Sequence, residues 1–126
     1  MEKILIIDDD ALVLKTLKNL FERKKYTVQM AKSGQEALQK LENEGFDLIL
    51  CDIRMAELNG IETIRKLREK FQLNQTRPVI FMTGYASEEV PIEAIKLGAK
   101  DYILKPFDLD ELLASVQKNL GESQRA

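Results

Sequence analysis

Residues 3–10 read KILIIDDD, a short apolar run with three carboxylates directly behind it. ILII has no polar alternation, so both faces of the segment must be buried, as in a parallel sheet covered by helices on each side. LILC at 48–51 and VIFM at 79–82 have the same form. YTVQMA at 26–31 alternates apolar and polar residues instead, which reads as an edge strand.

Between these runs lie amphipathic stretches, and their alternation gives five strand–helix units. Val13, Leu14, Leu17, Leu20 and Phe21 fall on one face of a first helix. Ser33 and Glu36 stand in capping-box spacing at the start of a second helix, from about Gly34 to Glu44, which Gly45 is expected to close with a left-handed turn. The third strand is read from Phe46 to Asp52, and the third helix from about Gly60 to Phe71, burying Ile61, Ile64, Leu67 and Phe71. Strand four is Val79–Thr83. A fourth helix follows Ser87, with Pro91 in its first turn and Gly98 at its close, before a fifth strand, Asp101–Leu104. Asp108 and Glu111 open a last helix, Leu109 to Leu120, whose buried stripe is Leu109, Leu112, Leu113 and Val116; Gly121 is expected to end it. Residues 1–121 then form one domain, and 122–126 a tail or the start of a linker.

Composition removes several classes of function. A net charge of -2 from 19 basic and 21 acidic residues gives no basic field for nucleic acid. No apolar run approaches the roughly 20 residues of a membrane helix. The single cysteine, Cys51, cannot form an internal disulfide and fits the core of a soluble, cytoplasmic protein. The absence of histidine excludes Ser-His-Asp and Cys-His catalysis. Chemistry must run on carboxylates, hydroxyls and lysine.

Right-handed crossovers bring every strand-to-helix loop to the same end of the sheet, so Asp8, Asp9, Asp10, Asp52, Thr83 and Lys105 should share one rim. Crowded carboxylates repel and take up protons unless a cation neutralises them, and an all-oxygen ligand set suits Mg²⁺ or Mn²⁺. Carboxylates, metal, one hydroxyl and one lysine together suit phosphoryl transfer. Asp10 is read as a helix cap.

IIDDD, DIRMAELNG, IFMTG and YILKPF, in this order over about residues 3 to 120, resemble the successive signatures of bacterial response-regulator receiver domains. The resemblance implies a flavodoxin-like, doubly wound α/β fold with strand order 2-1-3-4-5 and five helices. It further implies that Asp52 is the phosphoacceptor, that Asp9, Asp52 and the Arg54 backbone carbonyl bind the metal, and that Asp8 acts through a metal-bound water. By the same resemblance Lys105 binds phosphoryl oxygens, Thr83 and Tyr102 form a switch, and the Lys105–Pro106 bond is cis. Ala56 departs from the family, which has proline after the methionine. The resemblance also implies that Arg54 and Tyr85 occupy positions which in that family tune hydrolysis of the phosphoryl group, and that Gly84 leaves open space beside the acceptor.

A receiver of this kind is a signalling phosphoacceptor rather than an enzyme acting on other substrates. It catalyses its own phosphorylation and slow dephosphorylation. Its implied partners are a histidine kinase or histidine phosphotransfer protein and a downstream output domain or effector, reached through the surface of the fourth helix, fifth strand and last helix, with homodimerisation on phosphorylation as one mode. Two rivals remain at this point. A haloacid-dehalogenase-like phosphatase would use Asp8 as nucleophile, although Leu12 and the placing of Asp108 and Asp110 do not fit its pattern. A pseudo-receiver would keep the fold as an interaction module without phosphoryl chemistry.

Overall fold

The computed structural model describes residues 2–53, 59–71, 78–83, 98–105 and 108–125, except the side chains of 71, 83 and 122–125. Five strands, β1 (Lys3–Ile7), β2 (Thr27–Ala31), β3 (Leu48–Asp52), β4 (Val79–Thr83) and β5 (Asp101–Leu104), form one parallel sheet in the order β2-β1-β3-β4-β5. Helices α1 (Ala11–Arg23), α2 (Gly34–Asn43), α3 (Gly60–Phe71) and a C-terminal helix (Leu109–Arg125) accompany it. The expected fourth helix, with Pro91, lies outside the described residues.

Strand side chains alternate between faces, and this divides the core into two layers. Ile4, Ile6, Leu48, Leu50, Ile80 and Met82 pack with Leu14, Leu17 and Phe21 of α1 and with Leu112, Val116 and Leu120 of the C-terminal helix. Leu5, Ile7, Ile49, Cys51, Val79 and Phe81 turn to the other face, against Ala37 of α2 and Ile61, Ile64 and Leu67 of α3. The apolar runs of β1, β3 and β4 are thus the direct cause of the doubly wound arrangement. β2 lies at one edge of the sheet.

Side-chain caps fix where the helices begin. Asp10 Oδ1 accepts from the amides of Leu12 (2.9 Å) and Val13 (3.3 Å), Ser33 Oγ from Glu36 (3.1 Å), and Asp108 Oδ1 from Asp110 (2.9 Å) and Glu111 (3.3 Å). Such bonds satisfy donors that the first helical turn leaves without partners. In α2 the return bond of the capping box reaches the Lys32 amide, at 3.4 Å.

Several element ends differ from the sequence reading. α2 stops at Asn43 with an extended Glu44 (φ -154°), and Gly45 is not left-handed. The C-terminal helix passes through Gly121 to Arg125, because glycine lowers helix stability by only about 1 kcal/mol and does not force a stop. Leu109 at its start is 39 % exposed rather than part of the buried stripe. β3 begins at Leu48, although Phe46 is buried beside it. Gly98 is left-handed at φ 78°.

Lys25, after α1, also adopts a left-handed conformation at φ 74°, where the Tyr26 amide closes the helix on the Phe21 carbonyl at 3.1 Å. A side chain there strains the backbone, and glycine does not. Lys25→Gly is expected to stabilise the protein by about 1 kcal/mol. Urea unfolding measures this, and a lower midpoint would contradict it.

Candidate functional site

The site grows from the register of the sheet. Ile7 pairs with Cys51, so Asp8 and Asp52, one residue further on, emerge side by side. Asp52 pairs with Met82 and Thr83 with Leu104, which brings the start of the β5–helix connection, Lys105, to the same rim. The strand order reverses direction between β1 and β3, and α1 and α3 leave to opposite faces there. That opens a crevice at the carboxyl ends of the strands.

Asp8, Asp9 and Asp52 each present a carboxylate oxygen within 4.8 Å of the others. Asp8 is 0 % exposed and Asp52 4 %, whereas Asp9 faces solvent. Asp8 Oδ1 accepts from the Asp10 amide at 2.9 Å, and its Oδ2 accepts from Lys105 Nζ at 2.8 Å. Lys105 Nζ also lies 3.4 Å from Asp52 Oδ2. One ammonium group therefore stands between two buried carboxylates.

Burial and the charge of Asp8 push the Asp52 carboxyl up from 3.8 to about 6, despite the opposing pull of Lys105. Burial lowers Lys105, but its bond to Asp8 and the charges of both carboxylates outweigh this and hold the ammonium above its ordinary value. Cys51 is fully buried on the opposite face of β3, and its thiol is pushed well up by burial and then by Asp52 and Asp8. It is a core side chain.

Three clustered carboxylates carry more charge than one lysine offsets, and their oxygens form a donor set for a hard divalent cation. Lys105 thus neutralises the pair Asp8 and Asp52 in addition to any part it takes with a ligand, a role the sequence reading did not assign. Asp8, buried with both oxygens engaged, is poorly placed as a nucleophile, which removes the support for a haloacid-dehalogenase-like chemistry. Tyr102 lies on β5 with its side chain 40 % exposed. The Thr83 backbone ends β4. Its hydroxyl, the Arg54 carbonyl, Ala56, Gly84, Tyr85 and Pro106 lie outside the described residues.

The response regulator receiver domain model matches residues 4–117. The chain belongs to the response-regulator receiver family. This receiver is 42 % identical to the transcriptional regulatory protein ZraR of Escherichia coli (strain K12) over 120 residues, 95 % of the chain and 26 % of ZraR. It spans about a quarter of that relative's length. A CheY-like receiver domain protein from Methanospirillum hungatei JF-1 superposes with a TM-score of 0.92 at 34 % identity, covering 99 % of this chain and 98 % of the other. The response regulator TrrA of Thermotoga maritima, in complex with Mg²⁺–BeF, matches with a TM-score of 0.82 at 29 % identity over 94 % of this chain and 99 % of its own.

Receivers work with histidine kinases and output domains, and the receiver here is a signalling module. No helix among its described residues is long and apolar enough to cross a membrane.

The raised Asp52 carboxyl makes stability depend on pH. A group whose folded value lies above its unfolded one stabilises below the unfolded value and loses that contribution as pH rises through the folded one. With a chelator present, the receiver should therefore lose on the order of 1–2 kcal/mol between about pH 4 and pH 7, after allowance for solvent at the rim. Asp52→Asn should lack that part of the slope. Thermal melts at both pH values read this, and parallel slopes would count against it.

Proposed function

We propose that Asp52 accepts a phosphoryl group from a phosphohistidine on a partner kinase or phosphotransfer protein, in a Mg²⁺-dependent reaction. One observation carries the reading: a buried carboxylate at the end of the third strand, 3.4 Å from a lysine ammonium and clustered with two further carboxylates. The Mg²⁺–BeF complex of the similar TrrA supports the metal; Mn²⁺ would suit the same oxygens. Asp9 and Asp52 would hold the ion, together with the Arg54 carbonyl, and Asp8 would act through a bound water.

When bound, the ion offsets negative charge on the phosphoryl oxygens. An Asp52 carboxylate oxygen forms the new bond to phosphorus as the phosphorus–nitrogen bond to the partner's imidazole breaks, and the imidazole takes up a proton from solvent. Lys105 follows the charge from the carboxylate to the phosphoryl oxygens, which cost no reorganisation of a solvent shell because the ammonium is already fixed in the crevice. Slow hydrolysis of the acyl phosphate resets Asp52. The receiver thus acts on itself and turns over no other substrate.

Phosphorylation adds charge and acceptor oxygens at the rim, to which Thr83 and Lys105 respond. Tyr102, on the edge strand β5, would follow by turning inward and would alter the surface offered to an output domain or effector. Homodimerisation is one form that response can take. The identity to ZraR favours a transcriptional output domain, with residues 1–121 as the receiver and the 122–126 segment, helical as far as Arg125, leading from its last helix toward that domain. Cytoplasmic placement suits a reduced Cys51.

Asp52→Asn should abolish the mass increase that acetyl phosphate and Mg²⁺ produce on the parent protein, while circular dichroism stays unchanged. A parent that never gains the phosphoryl mass would leave only a pseudo-receiver. Thr83→Ala should still be labelled but lose most of the phosphorylation-dependent change in the Tyr102 environment, measured by NMR; an undiminished change would refute the coupling.

A further inference from the structure

The start of α3 meets the end of β3 with almost no space between backbones. A Cβ at Gly60 would lie 2.1 Å from the Asp52 carbonyl oxygen, 2.8 Å from its carbon and 2.9 Å from Ile53 Cα. All three atoms are backbone, so none can swing aside as the end of a long side chain could. Gly60 does not need a left-handed conformation, since its φ is not among the positive values of the described glycines. The requirement for glycine here is one of space alone.

The contact is also held from several directions. The Gly60 amide donates to the Ile53 carbonyl at 2.7 Å. Asn59 Oδ1 accepts from the Glu62 amide at 2.9 Å, and the buried Thr63 hydroxyl donates to the Asn59 carbonyl at 2.8 Å, which together fix the first turn of α3. On the core side the Cys51 thiol touches both the Asp52 carbonyl oxygen (3.4 Å) and the Gly60 carbonyl oxygen (4.0 Å). Neither backbone can retreat freely, because Leu50 and Cys51 behind Asp52, and Ile61 and Ile64 behind Gly60, are buried in the core.

We infer that Gly60 is a positioning residue for Asp52: the missing side chain lets α3 seat against the acceptor's own peptide group and so sets the carboxylate relative to Asp8, Asp9 and Lys105. The inference rests on the phosphoacceptor reading above. An added methyl group must move one backbone by roughly 1 Å, and a misplacement of that size costs on the order of 100-fold in rate where reacting groups are held in fixed geometry. Ordinary loss of packing in the same helix would lower stability without moving Asp52.

The test compares Gly60→Ala with Leu67→Ala, which opens a cavity further along α3, and with the parent, all below their melting temperatures. Three quantities are read: the rate of phosphorylation by acetyl phosphate, the Mg²⁺ concentration that half-saturates the amide shifts of residues 8–10, and the labelling rate of the single thiol, Cys51. Gly60→Ala should fold, slow phosphorylation about 100-fold and raise the half-saturating Mg²⁺ at least tenfold, with faster thiol labelling. Leu67→Ala should stay within a few-fold of the parent in rate and Mg²⁺ response. A folded Gly60→Ala with parental rate and Mg²⁺ response overturns the inference, as does one that cannot fold even in a stabilising osmolyte, which would assign the glycine to the fold alone. Failure of the parent itself to be phosphorylated would strike the phosphoacceptor reading instead.

Discussion

Two buried carboxylates that repel one another are the constraint around which the rim is built. Asp8 and Asp52 cannot separate, because the pairing of Ile7 with Cys51 fixes their strands in register. Their repulsion is answered locally by the Lys105 ammonium and the Asp10 amide. Burial first, and then the repulsion from Asp8 that remains, raise the Asp52 carboxyl. A free acid so unwilling to ionise has a strong incentive to gain a cation or to exchange its charge for a covalent bond. Packing, rather than any single catalytic group, thus prepares the chemistry.

The same register ties distant parts of the chain together. Asp8 joins the beginning of α1, through the Asp10 amide, to the end of β5, through Lys105. Asp52 is bound on its other side to α3, through the close approach of Gly60. A change at Asp52 therefore reaches α3 and, at Lys105, the end of β5 by direct contact, and α1 through Asp8. No long chain of intermediates is needed.

Much of this was legible in the residues. β4 has the expected limits because a continuous apolar run leaves little choice of strand, and β5 also keeps its expected limits although only Ile103 of its four residues is buried. The capping roles of Asp10, Ser33 and Asp108 could likewise be read, since a short oxygen-bearing side chain before an apolar stripe has few other uses. Helix ends were less readable: Gly45 and Gly121 differ from the expectation because stopping a helix is decided by about 1 kcal/mol, which neighbouring contacts easily override. The bridging of Asp8 and Asp52 by Lys105 required the sheet register, and the role of Gly60 required the distance to a carbonyl oxygen. Sequence spacing carries neither.

The two-layered core has a consequence for how the protein opens. β1, β3 and β4 are covered on both faces, and their amides can meet solvent only through disruption of much of the molecule. β5 has one buried residue, Ile103, among its four. Hydrogen exchange should consequently be slowest directly behind the acidic rim and faster at the strand that carries Tyr102. Asp8 and Asp52 are anchored to the most slowly breathing part of the sheet, while Lys105 hangs from a part that can yield at lower cost.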